Sequence, residues 1–261
     1  MKRARAEALL ARAFGPDGAP RGLHEAVPPR GLCAAAAERF FSRGGRFLRP
    51  RLLSAVYVRL APEARDRSPS GGEAAVALMK AVECFHRASL IHDDIQDGAA
   101  TRYGAKSVHA EHGVPCAIAL GDWLVAAGYA FASRCAVAEK AVAAVSRRHL
   151  AMCEGQFAEL SSARGASAAG AEASLADVCA GKTGSGFALA AELGAVAAGA
   201  GNAAEEAAAE LGMALGTAYQ CIDDLRDGDC PAGREASLRL LSSCRRAALA
   251  AAGKLKLAAV R

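Results

Sequence analysis

Aromatic residues are scarce in this 261-residue sequence: they make up 5% of the chain, and tryptophan occurs once. Long runs of β-branched residues are also missing, whereas alanine is abundant between clusters of glycine and proline. These absences argue against a protein built from β-sheets. Because alanine has the highest intrinsic helix propensity, the composition predicts an all-α fold. The 52% of hydrophobic residues are enough to form a full core.

Cysteine pairs with metal-binding or redox spacing are absent as well. The nine cysteines are scattered, odd in number and never spaced as C-x-x-C. This pattern argues against a disulfide framework and a zinc site, and it is typical of small buried residues in a reducing compartment. We therefore expect a cytoplasmic protein.

No uncharged apolar run reaches the length of a membrane span, about eighteen residues. The basic residues after Met1 lead into no signal-peptide core. The sequence therefore predicts no transmembrane segment. The net charge is +5, and the arginines are dispersed without interleaved aromatic residues. This balance argues against nucleic-acid binding and is compatible with an anionic substrate.

Glycine and proline clusters divide the chain into helical stretches. None of these breaks is long enough for an interdomain linker, so we expect a single domain over residues 1–261, a helical bundle with a central cavity. The predicted helices cover residues 4–14, 32–42, 49–61, 73–97, 114–134, 137–161, 172–198, 203–227 and 235–258.

Two copies of one acidic motif are the most informative feature. Residues 93–97 read DDIQD and residues 223–227 read DDLRD, and together they hold six of the eleven aspartates. Each motif falls where a long predicted helix ends. On a helix, positions i and i+4 lie on one face, and like charges there repel by about 0.2–0.5 kcal/mol per pair.

A counter-charge is therefore expected at each motif. Mg²⁺ suits this role because it takes oxygen ligands and is typically held by one or two carboxylates plus substrate phosphates. We expect both motifs at one end of the bundle, holding Mg²⁺ and a diphosphate. The alternative is a pair of solvated acidic helix ends. The predicted metal ligands are Asp93, Asp94, Asp97, Asp223, Asp224 and Asp227.

Further motifs surround the aspartates. They read GGRFLRP at 44–50, HRASLIHDDIQD at 86–97, RYG at 102–104, GD at 121–122, EGQ at 154–156, KT at 182–183 and YQCIDD at 219–224. In this order they resemble the G-G-K-x-x-R-P, H-x-x-S-L-I-H-D-D-x-x-D, R-R-G, G-D, G-Q, K-T and F-Q-x-x-D-D motifs of the trans-isoprenyl diphosphate synthases, also called polyprenyl synthetases.

The resemblance implies a fold, an activity and a cofactor. The fold would be the all-α isoprenoid synthase bundle, assembled as a homodimer. The enzyme would join an allylic diphosphate to isopentenyl diphosphate, with three Mg²⁺ ions when substrate is bound. The product would be a short- to medium-chain prenyl diphosphate, with geranylgeranyl diphosphate the best single expectation. The implied catalytic residues are Asp93, Asp94, Asp97, Asp223 and Lys182.

The resemblance also implies contacts to two diphosphates. In the family, the allylic diphosphate meets the K-T lysine, the F-Q glutamine and the first arginine of R-R-G. Isopentenyl diphosphate meets the G-G-K-x-x-R cations, the histidine before the first aspartate motif and the second arginine of R-R-G. The implied substrate-binding residues are Arg46, Arg49, His86, Arg102, Lys182, Thr183 and Gln220.

Two departures from the family pattern affect the expected activity. Tyr103 replaces the second arginine of R-R-G, so the second site loses a cation able to bind phosphate in a bidentate way. After Asp227 the chain has Gly233-Arg234 in place of a G-K segment and continues only to residue 261. We therefore expect water to be excluded less well from the active site. Metal binding should be affected less by this difference.

Residues before the first aspartate motif are expected to set product length, because in this family they line the cavity for the growing chain. Ala88 and Ser89 are small and would leave the upper cavity open. Phe85 lies about 12 Å before Asp93 at 1.5 Å per residue and would form its floor. If Phe85 instead packs into the neighbouring helix, the product would be longer.

Two other functions remain open. A class I terpene cyclase or lyase would use the same clamp on one prenyl diphosphate, which suits Tyr103. Such enzymes usually carry an N-S-E second motif, and Asn202 to Glu210 has the outer spacing but Glu206 at the middle position. A non-catalytic partner subunit is the other alternative, although such relatives typically lose an aspartate motif.

Overall fold

The computed structural model describes residues 2–16, 18–23, 32–61, 72–163, 175–228 and 233–258. Its longer helices are α1 (Lys2–Ala13), α2 (Leu32–Ser42), α3 (Leu48–Leu60), α4 (Glu73–Gln96), α6 (Val114–Ser133), α7 (Ala138–Ala163), α9 (Ser185–Ala198), α10 (Asn202–Asp227) and α11 (Arg234–Ala258). Two five-residue helices, α5 (Val108–His112) and α8 (Leu175–Cys179), and a π-helical turn (Ala180–Gly184) lie between them.

The chain forms two compact units. Unit 1 comprises Met1–Val58 and Pro62–Val142, and unit 2 comprises Arg59–Ala61 and Ala143–Arg261. Compactness alone does not decide whether a unit folds independently, so the single domain over residues 1–261 stays a prediction.

Unit 1 is built around α4, which packs against α1, α5 and α6. Gly72 precedes the helix in a left-handed conformation, and Glu73 in the first turn complements the positive end of the helix dipole. One apolar face of α4 is buried, including Leu78, Met79 and Val82. The helix ends at the first aspartate motif, where the Asp97 N–H donates to the Asp93 carbonyl.

A short antiparallel hairpin follows α4 in unit 1. Strand β1 (Thr101–Arg102) pairs with strand β2 (Ala105–Lys106), with Arg102 opposite Ala105. Tyr103 (φ 54°) and Gly104 (φ 75°) form the turn, and two consecutive positive φ values suit a two-residue hairpin. The turn therefore places a tyrosine in a conformation that glycine and asparagine usually occupy.

Unit 2 is built around α9, in which every residue from Ser185 to Ala198 is buried. A helix that is apolar on all sides is stable only when it is surrounded by other elements. Helix α10 packs against both α9 and α11. Gly228 ends α10 in a left-handed conformation, directly after the second aspartate motif.

The predicted all-α fold is confirmed, and most predicted helix ends lie within three residues of the observed ones. The helical stretch predicted over 172–198 is helical wherever it is described, from Leu175 to Ala198, but it contains an unpredicted π-helical turn at Ala180–Gly184. Helix α5 and the hairpin are too short for sequence periodicity to reveal. The predicted break at 164–167 and most of the break at 62–72 lie outside the described residues.

One helix in the described part of the chain, α6, is long and apolar enough to cross a membrane by length and composition alone. It contains Asp122, and 39% of its most apolar window is buried inside the protein. Core helices pass the same test, and α6 packs against α4.

Cysteine burial agrees with the prediction only in part. Cys84, Cys179, Cys221 and Cys244 are buried, whereas Cys116 and Cys153 are exposed. The eight cysteines that the structure describes are free thiols.

Candidate functional site

The three carboxylates of the first aspartate motif differ in exposure and in hydrogen bonding. Asp93 is half-buried and Asp97 is exposed, one helical turn apart at the end of α4. Asp94 is 1% exposed, and its Oδ1 accepts hydrogen bonds from Arg102 Nε at 2.8 Å and Nη2 at 2.5 Å. Asp94 therefore anchors Arg102 and the hairpin, and Asp93 and Asp97 are the more accessible carboxylates.

The second oxygen of Asp94 bears on metal binding. Asp94 Oδ2 is buried and has no hydrogen-bond partner among the described residues. A bound cation satisfies an oxygen of this kind, and carboxylate oxygens are the ligands that Mg²⁺ prefers. The first motif therefore fits this metal.

The second aspartate motif is supported by a hydrogen-bond chain within unit 2. Thr183 Oγ1 donates to Gln220 Oε1 at 2.7 Å, and Gln220 Nε2 donates to Asp224 Oδ1 at 2.8 Å. This chain joins the π-helical turn to α10 and fixes the Asp224 carboxylate. Asp223 is half-buried, and its Oδ1 lies 3.9 Å from Arg226.

Asp227 is the third aspartate of the second motif and is exposed in the last turn of α10. Across the described residues, no group of three His, Cys, Asp or Glu side chains is close enough to hold a metal ion. Mg²⁺ would therefore need oxygens from a bound phosphate in addition to these aspartates.

Lys182 is carried by the π-helical turn, a feature frequent at functional sites. This turn approaches α7 so closely that a Cβ on Gly155 would lie 2.5 Å from backbone atoms of Gly181 and Lys182. Lys182 Nζ donates to Glu159 Oε2 at 2.6 Å. The ammonium is thus already paired, and an incoming diphosphate must compete with Glu159.

Three of the predicted substrate-binding residues, Arg49, His86 and Arg102, lie near one another in unit 1. Burial lowers the pKa of His86 well below its usual 6.5, and the charges of Arg49, Arg87 and Arg102 lower it further. The ring is partly exposed, but its Nδ1 is buried without a hydrogen-bond partner among the described residues. Arg87 and Arg102 are paired with Glu83 and Asp94, so a neutral histidine beside the Arg49 guanidinium is the part of this group suited to an anion.

Arg46 is exposed on the loop between α2 and α3. Arg49 is the second residue of α3 and is half-buried. The G-G-R segment therefore presents one cation to solvent and a second, Arg49, to the vicinity of His86.

The three predicted chain-length residues lie on one side of α4 but differ in burial. The Phe85 ring is buried against Gly128, where an added Cβ would lie 2.8 Å from it, and it meets the Tyr129 ring edge-on at 5.2 Å. Ala88 is buried, whereas Ser89 is exposed and donates to the His86 carbonyl. Phe85 therefore packs into the neighbouring helix α6, the arrangement for which the sequence predicts a longer product.

Two ion pairs were not predicted from the sequence. Glu159 pairs with Lys182, 23 residues later. Glu83 pairs with Arg87, and both side chains are almost fully buried. The i,i+4 spacing of Glu83 and Arg87 was a detectable signal, whereas no local pattern joins Glu159 to Lys182.

The segment with N-S-E spacing lies at the opposite end of α10 from the second aspartate motif. Asn202 begins the helix, and Glu210 pairs with Lys254 of α11 at 2.6 Å. Glu210 precedes Asp223 by about 20 Å at 1.5 Å per residue. These residues therefore do not form a metal motif together with Asp223.

Comparison with known proteins identifies a family and several similar proteins. A family model for polyprenyl synthetase matches residues 30–232. The geranylgeranyl pyrophosphate synthase of Geoglobus acetivorans is 37% identical over 137 residues, which is 51% of this chain and 40% of that protein. The solved structure of geranylgeranyl pyrophosphate synthetase from the same archaeon has a TM-score of 0.68 and 28% identity, covering 86% of this chain and 69% of that one.

A further structure, polyprenyl synthase from Caulobacter crescentus CB15, was solved with calcium and isoprenyl diphosphate. It has a TM-score of 0.66 and 27% identity, covering 85% of this chain and 61% of that one. The expected isoprenoid synthase fold is thereby confirmed. The chain spans about two fifths of the length of the curated relatives it matches.

Proposed function

The chain belongs to the polyprenyl synthetase family, and from that premise we propose that it joins an allylic diphosphate to isopentenyl diphosphate. The observation that carries the proposal is that each aspartate motif ends a long helix and has its own supporting contacts. Arg102 holds Asp94 in unit 1, and Gln220 holds Asp224 in unit 2.

The allylic diphosphate is held by the cations beside the two motifs. Arg102 is fixed by Asp94, and Lys182 exchanges Glu159 for a phosphate oxygen. Mg²⁺, three ions in our proposal, would bind Asp93, Asp97 and Asp223 and neutralise the diphosphate as a leaving group. Asp94, Asp224 and Asp227 would complete or support the metal ligands. The carbon–oxygen bond breaks with its electron pair on the diphosphate, which leaves an allylic cation.

Isopentenyl diphosphate is held by Arg46, Arg49 and His86. Because the pKa of His86 is lowered, the ring is neutral near pH 7 and contributes a hydrogen bond while the arginines supply the charge. The double bond of isopentenyl diphosphate attacks the allylic carbon, and a proton is then lost to the released diphosphate. A short- to medium-chain prenyl diphosphate results.

Product mass tests this function directly. Purified protein is incubated with Mg²⁺ and an allylic diphosphate, with and without isopentenyl diphosphate, and a matched sample receives chelator. We expect a product five carbons longer than the allylic substrate, or a multiple of five, only when both substrates and the metal are present. Absence of any product would favour the non-catalytic partner subunit.

The second candidate is a lyase or cyclase that acts on one prenyl diphosphate. Tyr103, at the position where the family has a phosphate-binding arginine, favours this candidate. It predicts an isoprenoid released without isopentenyl diphosphate. The same assay separates the two functions, because only the lyase works on the allylic substrate alone.

The proposal also covers the length of the product, the oligomeric state of the protein and its location in the cell. The names of the relatives from Geoglobus acetivorans support geranylgeranyl diphosphate as the product. We propose a cytoplasmic homodimer, as the family resemblance implies. Light scattering coupled to gel filtration would give the mass of the assembly, to be compared with 26.6 kDa for one chain.

A further inference from the structure

Arg87 has the largest fully buried side chain in the described part of the chain. Its Nε donates to Glu83 Oε1 at 2.9 Å, and its Nη2 donates to the Gly44 carbonyl at 2.5 Å. Burying a guanidinium is unfavourable unless it is paired and hydrogen-bonded. Glu83 neutralises the charge, so Arg87 does not act as an exposed cation for substrate.

Aromatic rings enclose the same guanidinium. Its Cζ lies 5.3–5.8 Å from the ring centroids of four residues, within the range of cation–π contacts. The rings come from the end of α2, from the loop that follows it and from the hairpin turn. Arg87 on α4 therefore joins three other segments of unit 1. The four rings are those of Phe40, Phe41, Phe47 and Tyr103.

Two of these rings belong to residues with an unusual backbone. Phe47 (φ 50°) and Tyr103 (φ 54°) are the non-glycine residues with positive φ in the described part of the chain. Such conformations persist only when the surrounding structure imposes them. The shared contact of both residues is the Arg87 guanidinium.

Gly45 shows how tightly the loop is fitted to Arg87. Its φ is 152°, and an added Cβ would lie 2.5 Å from Arg87 Nη2. Arg43, at the start of the loop, donates to the Lys106 carbonyl of the hairpin at 2.5 Å. The loop and the hairpin are thus held together at the surface by Arg43 and in the interior by Arg87.

The loop fixed in this way carries Arg46 and leads directly into Arg49. We infer that Arg87 is a positioning residue for isopentenyl diphosphate: it sets the loop of residues 44–47 and the Tyr103 turn, and thereby places Arg46 and Arg49. This inference rests on the proposed function. Arg87 would thus organise, from the protein interior, the site at which Tyr103 replaces the arginine expected from the family.

Arg87→Lys is the primary test, because lysine keeps the charge but cannot serve Glu83 and Gly44 with a planar fork. We expect the KM for isopentenyl diphosphate to rise about tenfold, while kcat and the KM for the allylic substrate stay within about twofold. Hydrogen exchange of residues 43–47 and 101–106 should quicken without substrate. Equal rise of both KM values, or no change in either, would overturn the inference.

Lys80→Met is the matched control. Lys80 is another cation of α4, lies about 10 Å before Arg87 along the helix at 1.5 Å per residue, and contacts the Phe131 ring of α6 at 5.4 Å. Neither KM should change. If Arg87→Lys fails to fold, the double substitution Glu83→Gln and Arg87→Gln removes the pair without leaving a lone buried charge, and the same selective rise in KM is expected.

The same measurements separate this inference from the proposed function. No product from the unmodified protein with both substrates would contradict the proposed function. Normal product formation with unchanged exchange and KM values in Arg87→Lys would contradict only the role of Arg87.

Discussion

Neighbouring aspartates of the first motif have different environments, so substituting them should have different effects on stability and turnover. Asp94 is buried and holds Arg102, whereas Asp93 is half-buried at the end of the helix. Asp94→Ala should lower the free energy of unfolding by about 1–3 kcal/mol, because the half-buried Arg102 loses its charged partner. Asp93→Ala should leave stability within about 0.5 kcal/mol and reduce turnover by orders of magnitude.

Urea unfolding and product formation, measured on both variants, check this prediction. The two variants serve as controls for each other, since each removes one carboxylate from adjacent positions. An Asp93→Ala variant that forms product at the normal rate would contradict the metal-binding role of the motif.

The environment of His86 makes stability depend on pH. Its pKa is lowered in the folded protein, first by burial and then by Arg49, Arg87 and Arg102. Below pH 6.5 the unfolded chain binds a proton that the folded chain does not. Stability should therefore fall as pH drops below 6.5, by at most about 1.4 kcal/mol per unit and less because the ring is partly exposed.

Urea unfolding between pH 5 and pH 8 measures this dependence, and His86→Gln isolates it. The variant should gain stability relative to the unmodified protein as pH falls, with no difference above pH 7. Parallel curves for the two proteins would show that His86 titrates normally.

Phe85 tests whether product length is set on α4. Its ring packs on Gly128 and Tyr129 of α6, so removing it opens space between the two helices. We predict that Phe85→Ala shifts the product to longer chains, read by mass. Phe131→Ala, which removes a buried ring elsewhere on α6, should leave the distribution unchanged. If Phe85→Ala makes the same products, the cavity floor lies elsewhere.

At the level of elements, the π-helical turn determines the ion pairing of Lys182. The turn brings Lys182 to Glu159, and the pair is partly exposed, so it contributes modestly. Glu159→Gln should lower the KM for the allylic diphosphate about two- to fivefold, because the ammonium no longer has a competing anion. Initial rates at several allylic concentrations measure this effect.

Lys182→Ala is the control for that prediction. It should raise the same KM, and adding Glu159→Gln to it should change nothing further. A raised KM in Glu159→Gln alone would mean that Glu159 orients Lys182 productively.

Long helices could be predicted because their helix propensity is high and glycine or proline residues mark their ends. Alanine-rich α9 and α10 end at Gly199 and Gly228, both with positive φ, and glycine permits that geometry. The π-helical turn was missed because it changes only the local hydrogen-bond register. The hairpin turn was missed because Tyr103 occupies a conformation that sequence patterns assign to glycine or asparagine.

The site shows the same division. The aspartates could be found because their spacing repeats and each motif closes a helix. The contacts that support them could not, since Gln220 reaches Thr183 across 37 residues and Arg87 reaches Gly44 across 43. Such contacts depend on tertiary packing, which a single sequence does not encode as a local pattern.

At the level of the whole molecule, each unit carries one aspartate motif and one set of supporting residues. No three acidic, histidine or cysteine side chains in the described residues can hold a metal alone. Metal and diphosphate should therefore stabilise the protein only together. With the Mg²⁺–diphosphate complex at about 100 times its dissociation constant, stability should rise by about 2.7 kcal/mol, and either component alone should have little effect.

Thermal unfolding with Mg²⁺, inorganic diphosphate, both or neither measures this linkage. Asp93→Ala in unit 1 and Asp223→Ala in unit 2 should each reduce the joint stabilisation, because each removes a carboxylate proposed to bind the metal. Glu235→Ala is the control, since Glu235 is an exposed carboxylate of α11 outside both motifs. Full stabilisation by Mg²⁺ alone, or undiminished joint stabilisation in both motif variants, would contradict a metal held jointly by protein and diphosphate.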